Sequence, residues 1–288
     1  MKNANITIVT PSYNQGRFIE ETIKSVISQE GNFTLEYIIM DGGSTDETVE
    51  VIKKYERLLE KGEYLVKCRG VRLIWKSEKD RGQAHALNKG FELATGEVLG
   101  WVNSDDTYMP GAVSKALEYF KKHEDVMMVY GEGWYVDERG KIIERYKTEP
   151  FDYQRLAEHC FICQPSAFLR RRVLDEVGFL DEELHFCMDY EYWIRIGKSG
   201  KVQHVPEYFA NSRLHADTKT LSKTSDAYGE AIKTTAKYFG KVSDSWLYGY
   251  ANHAALNMLG DSSLKSVLLK SITRIIFTVK KMQVCFNR

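Results

Sequence analysis

The chain has 288 residues, 43% of them hydrophobic and 28% charged, enough to build a substantial core and ordinary for a globular protein. Its 40 basic and 40 acidic residues cancel, which argues against a dedicated nucleic-acid binder, where a basic excess is needed. No apolar run approaches the roughly 20 residues that span a bilayer, the opening segment lacks a secretory-signal pattern, and five cysteines at irregular spacing outline no disulfide framework, so a cytoplasmic protein with reduced thiols is expected.

In chain order, the first half alternates. Ile6 to Thr10 reads as a short buried strand broken by Pro11. Phe18, Ile19, Ile23, Val26 and Ile27 then recur at helical spacing. Leu35 to Met40 is a second strand ending on Asp41 and Gly42-Gly43. Ser44 or Thr45 is placed to cap a helix carrying Val49, Ile52 and Tyr55. Val71 to Glu78 is a third strand. A third helix follows, with Ala84, Leu87, Phe91 and Leu93 or Ala94 inward, and Glu97 to Asn103 is a fourth strand. This alternation predicts an α/β fold with a mostly parallel sheet covered by helices. Ligands of such sheets bind beyond the carboxyl ends of the strands. Polar groups gather there: Ser12, Tyr13 and Asn14 after the first strand, Asp41 after the second, Asp80 and Arg81 after the third, Asp105 and Asp106 after the fourth. The glycine fingerprint of a dinucleotide site and the Walker pattern are both missing.

Beyond Met109 the alternation loosens. Val113, Ala116, Leu117 and Phe120 mark a helix. Two strands flank a turn at Glu138-Arg139-Gly140, and a strand, a helix and a turn at Gly178 follow. Cys160 and Cys163 form one CxxC whose zinc reading would need two more ligands, such as Cys187 and His159; buried thiols are the simpler reading. Tyr190, Trp193, Ile194 and Ile196 belong to a buried helix that opens with Asp189 and Glu191, acids that suit a helix N-terminus. Val202 to Ala210 is strand-like and leads to His215. After Asp261 no acid remains. Leu264, Val267, Leu268, Ile272, Ile275, Ile276 and Val279 form one apolar stripe, with Lys265, Lys270, Arg274, Lys280 and Lys281 mostly off it. Such a helix packs on its own protein or lies in an anionic membrane interface. Three parts are expected: about 1–108, about 109–218 and a helical extension, 219–288.

Asp105 and Asp106 are like charges side by side, and desolvation worsens their repulsion. A Mg²⁺ or Mn²⁺ ion would reverse the sign of that problem, since it takes one or two carboxylates plus substrate phosphates.

Four segments, "TPSYNQGRFIEETIKSVISQ", "IIMDGGSTDET", "KDRGQAHALNKGFELATGEVLGWVNSDD" and "MDYEYWIRIG", together resemble family 2 glycosyltransferases of the GT-A fold. The resemblance covers roughly Ile6 to His215. It implies that Asp106 ligates the metal on a nucleotide diphosphate, that Asp105 lies near the ribose and that Asp41 reads the base, commonly uracil. It implies a base pocket of Thr10, Pro11 and Tyr13, and a nucleotide contact from Arg81. Asn88 and Lys89 are either part of the site or a polar helix face, and His85 is structural. Gln164, Ser166 and the Gly178 to Asp181 turn fall where relatives hold donor sugar and acceptor. Asp189 matches the general base, although Met188 replaces the acid that usually precedes it, which leaves Glu191 in competition. His215 falls where some relatives have a third metal ligand or diphosphate contact, the other reading being a surface loop histidine; Arg213 and Lys219 add charge beside it.

The function implied is metal-dependent, inverting transfer of a sugar from a nucleotide diphosphate sugar, preferably a UDP-sugar, to a hydroxyl of a saccharide or lipid-linked saccharide in cell-surface polysaccharide synthesis. The cofactor would be Mn²⁺ or Mg²⁺, with no nucleic-acid partner. An anionic membrane surface would meet residues 262–288 on the cytoplasmic side. A catalytically silent nucleotide-sugar-binding or membrane assembly subunit is the alternative; a nucleotidyltransferase would need a glycine-rich basic loop after the first strand, which "PSYNQGRF" is not.

Overall fold

The computed structural model describes residues 4–216, 218, 224–259 and 265–286, with side chains from 268 to 284 in the last stretch. They fall into two compact units, Met1–Phe151 with Phe161–His215, and Asp152–Cys160 with Ala216–Arg288.

The first unit contains β1 (Ile6–Ser12), α1 (Ile19–Ile27), β2 (Gly31–Asp41), α2 (Thr48–Glu60), β3 (Cys68–Ser77), α3 (Gln83–Leu93), β4 (Val98–Trp101), β5 (Thr107–Tyr108), α4 (Ala112–Lys122), β6 (Val126–Val136), β7 (Ile142–Arg145), β8 (Ala167–Arg170), α5 (Arg172–Glu176), α6 (Met188–Ser199) and β9 (Lys201–Arg213). The strands join in one sheet of order β3-β2-β1-β4-β8-β6-β9-β5, with β7 beside β6. The first four strands are parallel, as the alternation predicts. β8 runs antiparallel to both β4 and β6, and β6 runs parallel to β9.

Register decides which side chains meet. Ile6 and Ile8 of β1 face the same side as Leu35, Tyr37 and Ile39 of β2, and there they pack against α1, α2 and α4. On the opposite face α3 lies so close that a Cβ on Gly90 would come within 2.4 Å of Val9 Cγ1. Glycine here sets the depth of α3, and with it the height of the loop that leads in from β3.

Three local expectations change. β1 does not break at Pro11 but runs to Ser12 in register with Asp41. The Ser12 carbonyl accepts from Gly42 on the β2 side, whereas the Val9 carbonyl accepts from Val102 on the β4 side. Pro11 shares the orientation of Val9, and pairing with β4 ends at Val9, so the missing N–H falls where no ladder partner is required. Neither Ser44 nor Thr45 caps α2. The Asp46 carboxylate accepts the Thr48 N–H instead, while Ser44 Oγ is used by Asn14 and Asp41. At the end of α3, Ala94 is buried and Leu93 is exposed.

At the other end of the parallel strands, buried Glu36 accepts from Thr7 Oγ1 (2.8 Å), the Thr95 N–H (2.8 Å) and Thr95 Oγ1 (3.2 Å), while Thr7 Oγ1 accepts from the Gly96 N–H (2.9 Å). This network ties the α3–β4 turn to β1 and β2.

The second unit has α7 (Thr224–Phe239), α8 (Asp244–Leu259) and α9 (Lys265–Phe286). Tyr153 meets Phe239 at 5.1 Å between rings, and Ser245 donates to the Glu158 carbonyl (2.7 Å). The single apolar stripe expected for α9 is divided: Ile272 and Ile276 are half-buried, while Leu268, Ile275 and Val279 are exposed. Asp261 and Leu264 lie outside the described residues, as do residues 262–264 and 287–288 of the segment expected to meet a membrane. Among the described residues no helix is long and apolar enough to cross a membrane.

Glu36→Ala would strand the Thr7 hydroxyl and the Thr95 N–H, and should lower the unfolding free energy by about 2–4 kcal/mol. A urea midpoint equal to wild type would contradict this account of the turn.

Candidate active site

The loops after β1 and β2 are stitched to each other. Asn14, at φ 51°, takes the Thr45 N–H on Oδ1 (2.8 Å) and gives its own N–H to Ser44 Oγ (2.7 Å). The Gln15 N–H goes to Thr48 Oγ1 and the Gly16 N–H to Asp46 Oδ2, each at 2.9 Å. Asp41 is at the root of this lattice. Its Oδ2 accepts from Gly43 N, Ser44 N and Ser77 Oγ, and its Oδ1 from Ser44 Oγ (2.5 Å). A carboxylate that is 2% exposed and already takes four donors builds a turn. Next to it, a Cβ on Gly42 would fall 2.7 Å from Asp80 Oδ2 and 3.4 Å from the Tyr13 ring, so glycine is needed for these groups to converge.

Of the three residues expected to line a base pocket, Tyr13 is 60% exposed, whereas Thr10 and Pro11 are buried. The Thr10 hydroxyl accepts from Tyr37 in the core (3.1 Å), so its side chain is turned away from the strand ends. Arg81 is exposed and paired with Glu182 (2.5 Å). Asn88 is structural: its amide donates to the Leu180 carbonyl and accepts the Leu180 N–H, each at 3.0 Å, which fixes the turn after Gly178. Lys89 pairs with Glu78, and His85 Nδ1 accepts the Arg81 N–H (3.3 Å).

The two adjacent aspartates point to different environments. Asp106 is buried; its Oδ1 accepts the Arg213 N–H (2.8 Å) and its Oδ2 the Asn103 amide (3.2 Å). Burial pushes its carboxyl well above the usual carboxylate range and the Asp105 charge adds to this, against the Arg213 and Asn103 contacts. Asp105 keeps 21% of its side chain exposed and meets His215 Nε2 at 3.0 Å. The His215 ring lies 4.8 Å from that of Phe18.

Two residues that sequence reasoning underrated organise this corner. Arg213 is 3% exposed. Its guanidinium donates to the carbonyls of Asp105 (2.8 Å), Asp137 (3.2 Å) and Glu138 (2.9 Å) and to the Glu21 carboxylate (2.5 Å). It is a clamp rather than a spare charge beside His215, and Lys219 lies outside the described residues. Asn103 takes the Trp101 indole N–H and the Gln83 amide on Oδ1, and gives Nδ2 to both Asp106 and Gln164 Oε1. Its place between a strand and Ser-Asp-Asp was the available signal. Gln164 in turn donates to the Trp101 carbonyl (2.9 Å). The Ser166 hydroxyl is consumed by the Gly131 and Cys163 carbonyls.

Asp189 stands in the first turn of α6. Trp193, one turn further on, has its ring 6.4 Å from that of Trp101, which brings the start of α6 towards the end of β4. Burial pushes the Asp189 carboxyl up to about 6, against the backbone N–H groups of Tyr190 and Asp189 itself. Glu191 differs: both its oxygens take Arg195 Nε at 2.9 Å, and Arg195 also holds the Val177 and Phe179 carbonyls. Glu191 is tied into the helix–turn junction.

A family model described as glycosyl transferase family 2 matches residues 7–178. The chain is 23% identical over 225 residues to an uncharacterized glycosyltransferase of Methanocaldococcus jannaschii, covering 76% of this chain and 73% of that protein. It is 25% identical over 218 residues to a chondroitin synthase of Escherichia coli, covering 76% of this chain but 30% of that longer protein. Among solved structures, TarS of S. aureus in complex with UDP-GlcNAc superposes with a TM-score of 0.62 at 16% identity, over 92% of this chain and 75% of that one. A mannosyltransferase of Pyrobaculum calidifontis in complex with GDP-Man and Mn²⁺ gives 0.61 at 15% identity, over 97% and 87%. These likenesses carry the fold, the GT-A arrangement with helices at its C-terminal end.

Glu191→Gln would weaken the contacts from Arg195 and should cost roughly 1–3 kcal/mol of stability, read from the urea midpoint. An unshifted midpoint would mean that the pair does not hold α6 to the Gly178 turn.

Proposed function

Because the chain belongs to glycosyl transferase family 2, we propose that it transfers a sugar, with inversion, from a nucleotide diphosphate sugar to a hydroxyl. The donor we favour is a UDP-sugar, and the acceptor a saccharide or lipid-linked saccharide in polysaccharide synthesis on the inner face of the membrane. Relatedness to a chondroitin synthase and the likeness to structures holding UDP-GlcNAc and GDP-Man support this reading.

The observation that carries it is the Asp105–His215 pair beyond the end of β4. A carboxylate oxygen and an imidazole nitrogen 3.0 Å apart are donors that Mn²⁺ accepts. Asp105 and His215 would hold such an ion from the protein side, and hard divalent ions of this kind commonly take substrate phosphates as well. We therefore assign the metal-facing role to Asp105 with His215, in place of Asp106. Both Asp106 oxygens already serve the Arg213 N–H and the Asn103 amide. When bound, the ion neutralises charge on the departing diphosphate.

For the base, we assign Asp41 an indirect part: it holds the Gly42–Ser44 turn against which Tyr13 and a uracil can lie. Arg81, paired with Glu182, would reach the nucleotide only by exchanging that partner. Asp189 accepts the acceptor's hydroxyl proton as the oxygen attacks the anomeric carbon and the bond to the diphosphate breaks. Its raised pKa makes it a stronger base than an ordinary carboxylate, and the rest of the site holds donor and acceptor in line.

Titration calorimetry with UDP-GlcNAc and other nucleotide sugars, with and without Mn²⁺, tests the metal assignment. Asp105→Asn should lose the Mn²⁺-dependent part of binding, and Asp106→Asn, which keeps shape and an acceptor for the Arg213 N–H, should retain it. The opposite pattern would return the ligand role to Asp106. Donor binding without transfer to any acceptor would favour the silent subunit.

Transfer should rise with pH through about 6, as Asp189 loses its proton, and then level off. Asp189→Asn should lower the rate by roughly 10²–10⁴-fold with donor binding kept. The sign for stability is opposite. The fold prefers the neutral acid, so this group favours folding at low pH and that contribution is lost as pH rises through about 6. Asp189→Asn should accordingly be no less stable than wild type at neutral pH. A rate profile flat across pH 6 would remove Asp189 from the mechanism.

A further inference from the structure

The helix α9 has two faces that do different things. One packs on α8: Phe277 meets Tyr248 at 6.4 Å, Thr273 is buried, Lys280 lies over the Tyr250 ring and Lys281 pairs with Asp244 at 2.7 Å. The other carries Leu268, Ile275, Val279 and Met282, which are 38%, 64%, 46% and 48% exposed. Their spacing of seven, four and three residues confines them to an arc of about 60° on a helix turning 100° per residue. Arg274 is exposed about 80° round the helix from the edge of this arc, whereas Lys270 is exposed on the far side of the helix. From Lys265 to Phe286 the helix contains Lys265, Lys270, Arg274, Lys280 and Lys281 and no Asp or Glu.

We propose that this second face of α9 docks on an anionic lipid bilayer. Leu268, Ile275, Val279 and Met282 enter the boundary between headgroups and acyl chains, and Arg274, flanking the arc, reaches lipid phosphates. Charge selects this occupant. A second copy of α9 would set cations against cations, with no acid on either helix to answer them, whereas an anionic bilayer supplies the missing sign along its whole surface. The packed face is separate, so α9 docks without leaving α8. The docking does not rest on the transfer reaction and is measured without it.

The test is flotation of the full chain with phosphatidylcholine vesicles made with and without phosphatidylglycerol. Wild type should float only with the anionic vesicles. Ile275→Glu combined with Val279→Glu should stay at the bottom. Arg274→Gln should weaken binding about fivefold at low ionic strength, and added salt should mimic it. The altered side chains are exposed, so an unchanged circular dichroism spectrum and urea midpoint separate lost docking from lost folding. Failure of wild type to float, equal flotation on both vesicles, or full flotation of the double Glu variant would overturn the proposal. So would a stripe-dependent dimer in light scattering without flotation, which would give the face to a second copy.

Discussion

Two carboxylates on consecutive residues can share a strand end only if each charge is answered separately. In this chain the answers lie in opposite directions. Asp106 turns inward, where the Arg213 N–H and the Asn103 amide receive it. Asp105 turns towards solvent and His215. Much of the surrounding architecture serves that division. β5 is only two residues long and pairs with β9 at Thr107 and Asn211, which sets Arg213 opposite the aspartates. The clamp then gathers the β6–β7 hairpin and α1 through the carbonyls of Asp137 and Glu138 and the carboxylate of Glu21.

The remaining strand ends follow a related economy. Polar side chains there hold loops first, and a ligand meets what those loops present. Asp41 is the clearest case, with four donors on one buried carboxylate. The result is preorganisation: the Gly42–Ser44 turn is held by hydrogen bonds within the protein itself, so little ordering cost would remain for a group docking on it. Asn103 extends the same logic, linking β4, α3, Gln164 and Asp106 through one amide.

The parallel half of the sheet was legible in the sequence because its signals are local. Ile6, Ile8, Leu35, Tyr37 and Ile39 carry the strand pattern, and Ile19, Ile23, Val26 and Ile27 the helical one. The family was legible too, through the set of four segments. What failed to show were mainly contacts between residues far apart in sequence. Whether Asn88 serves a ligand or a turn, and which of Asp105 and Asp106 faces outward, depend on Leu180, Arg213 and His215, and no periodicity reports them. The Glu191–Arg195 pair is the exception: four residues apart on one helix, it was readable from the spacing. Pro11 misled for a similar reason: a proline interrupts a ladder only on the side its nitrogen faces, and that side is set by where β4 stops. For α9 the composition was read correctly, but two apolar faces were merged into one, because burial by α8 divides a stripe that looks continuous on a helical wheel.

The strand order carries a consequence for how the molecule is made. β5 follows β4 almost directly in the chain, yet its hydrogen-bonding partner is β9, and the contact from the Arg213 N–H to Asp106 spans 107 residues. During synthesis at about 5–20 residues per second, roughly 5 to 20 seconds pass between the ribosomal addition of Asp106 and that of Arg213. The first strands and helices have everything they need to condense in that interval. The two aspartates do not, and they wait as a hydrated, mutually repelling pair until the last strand emerges and the corner closes around them.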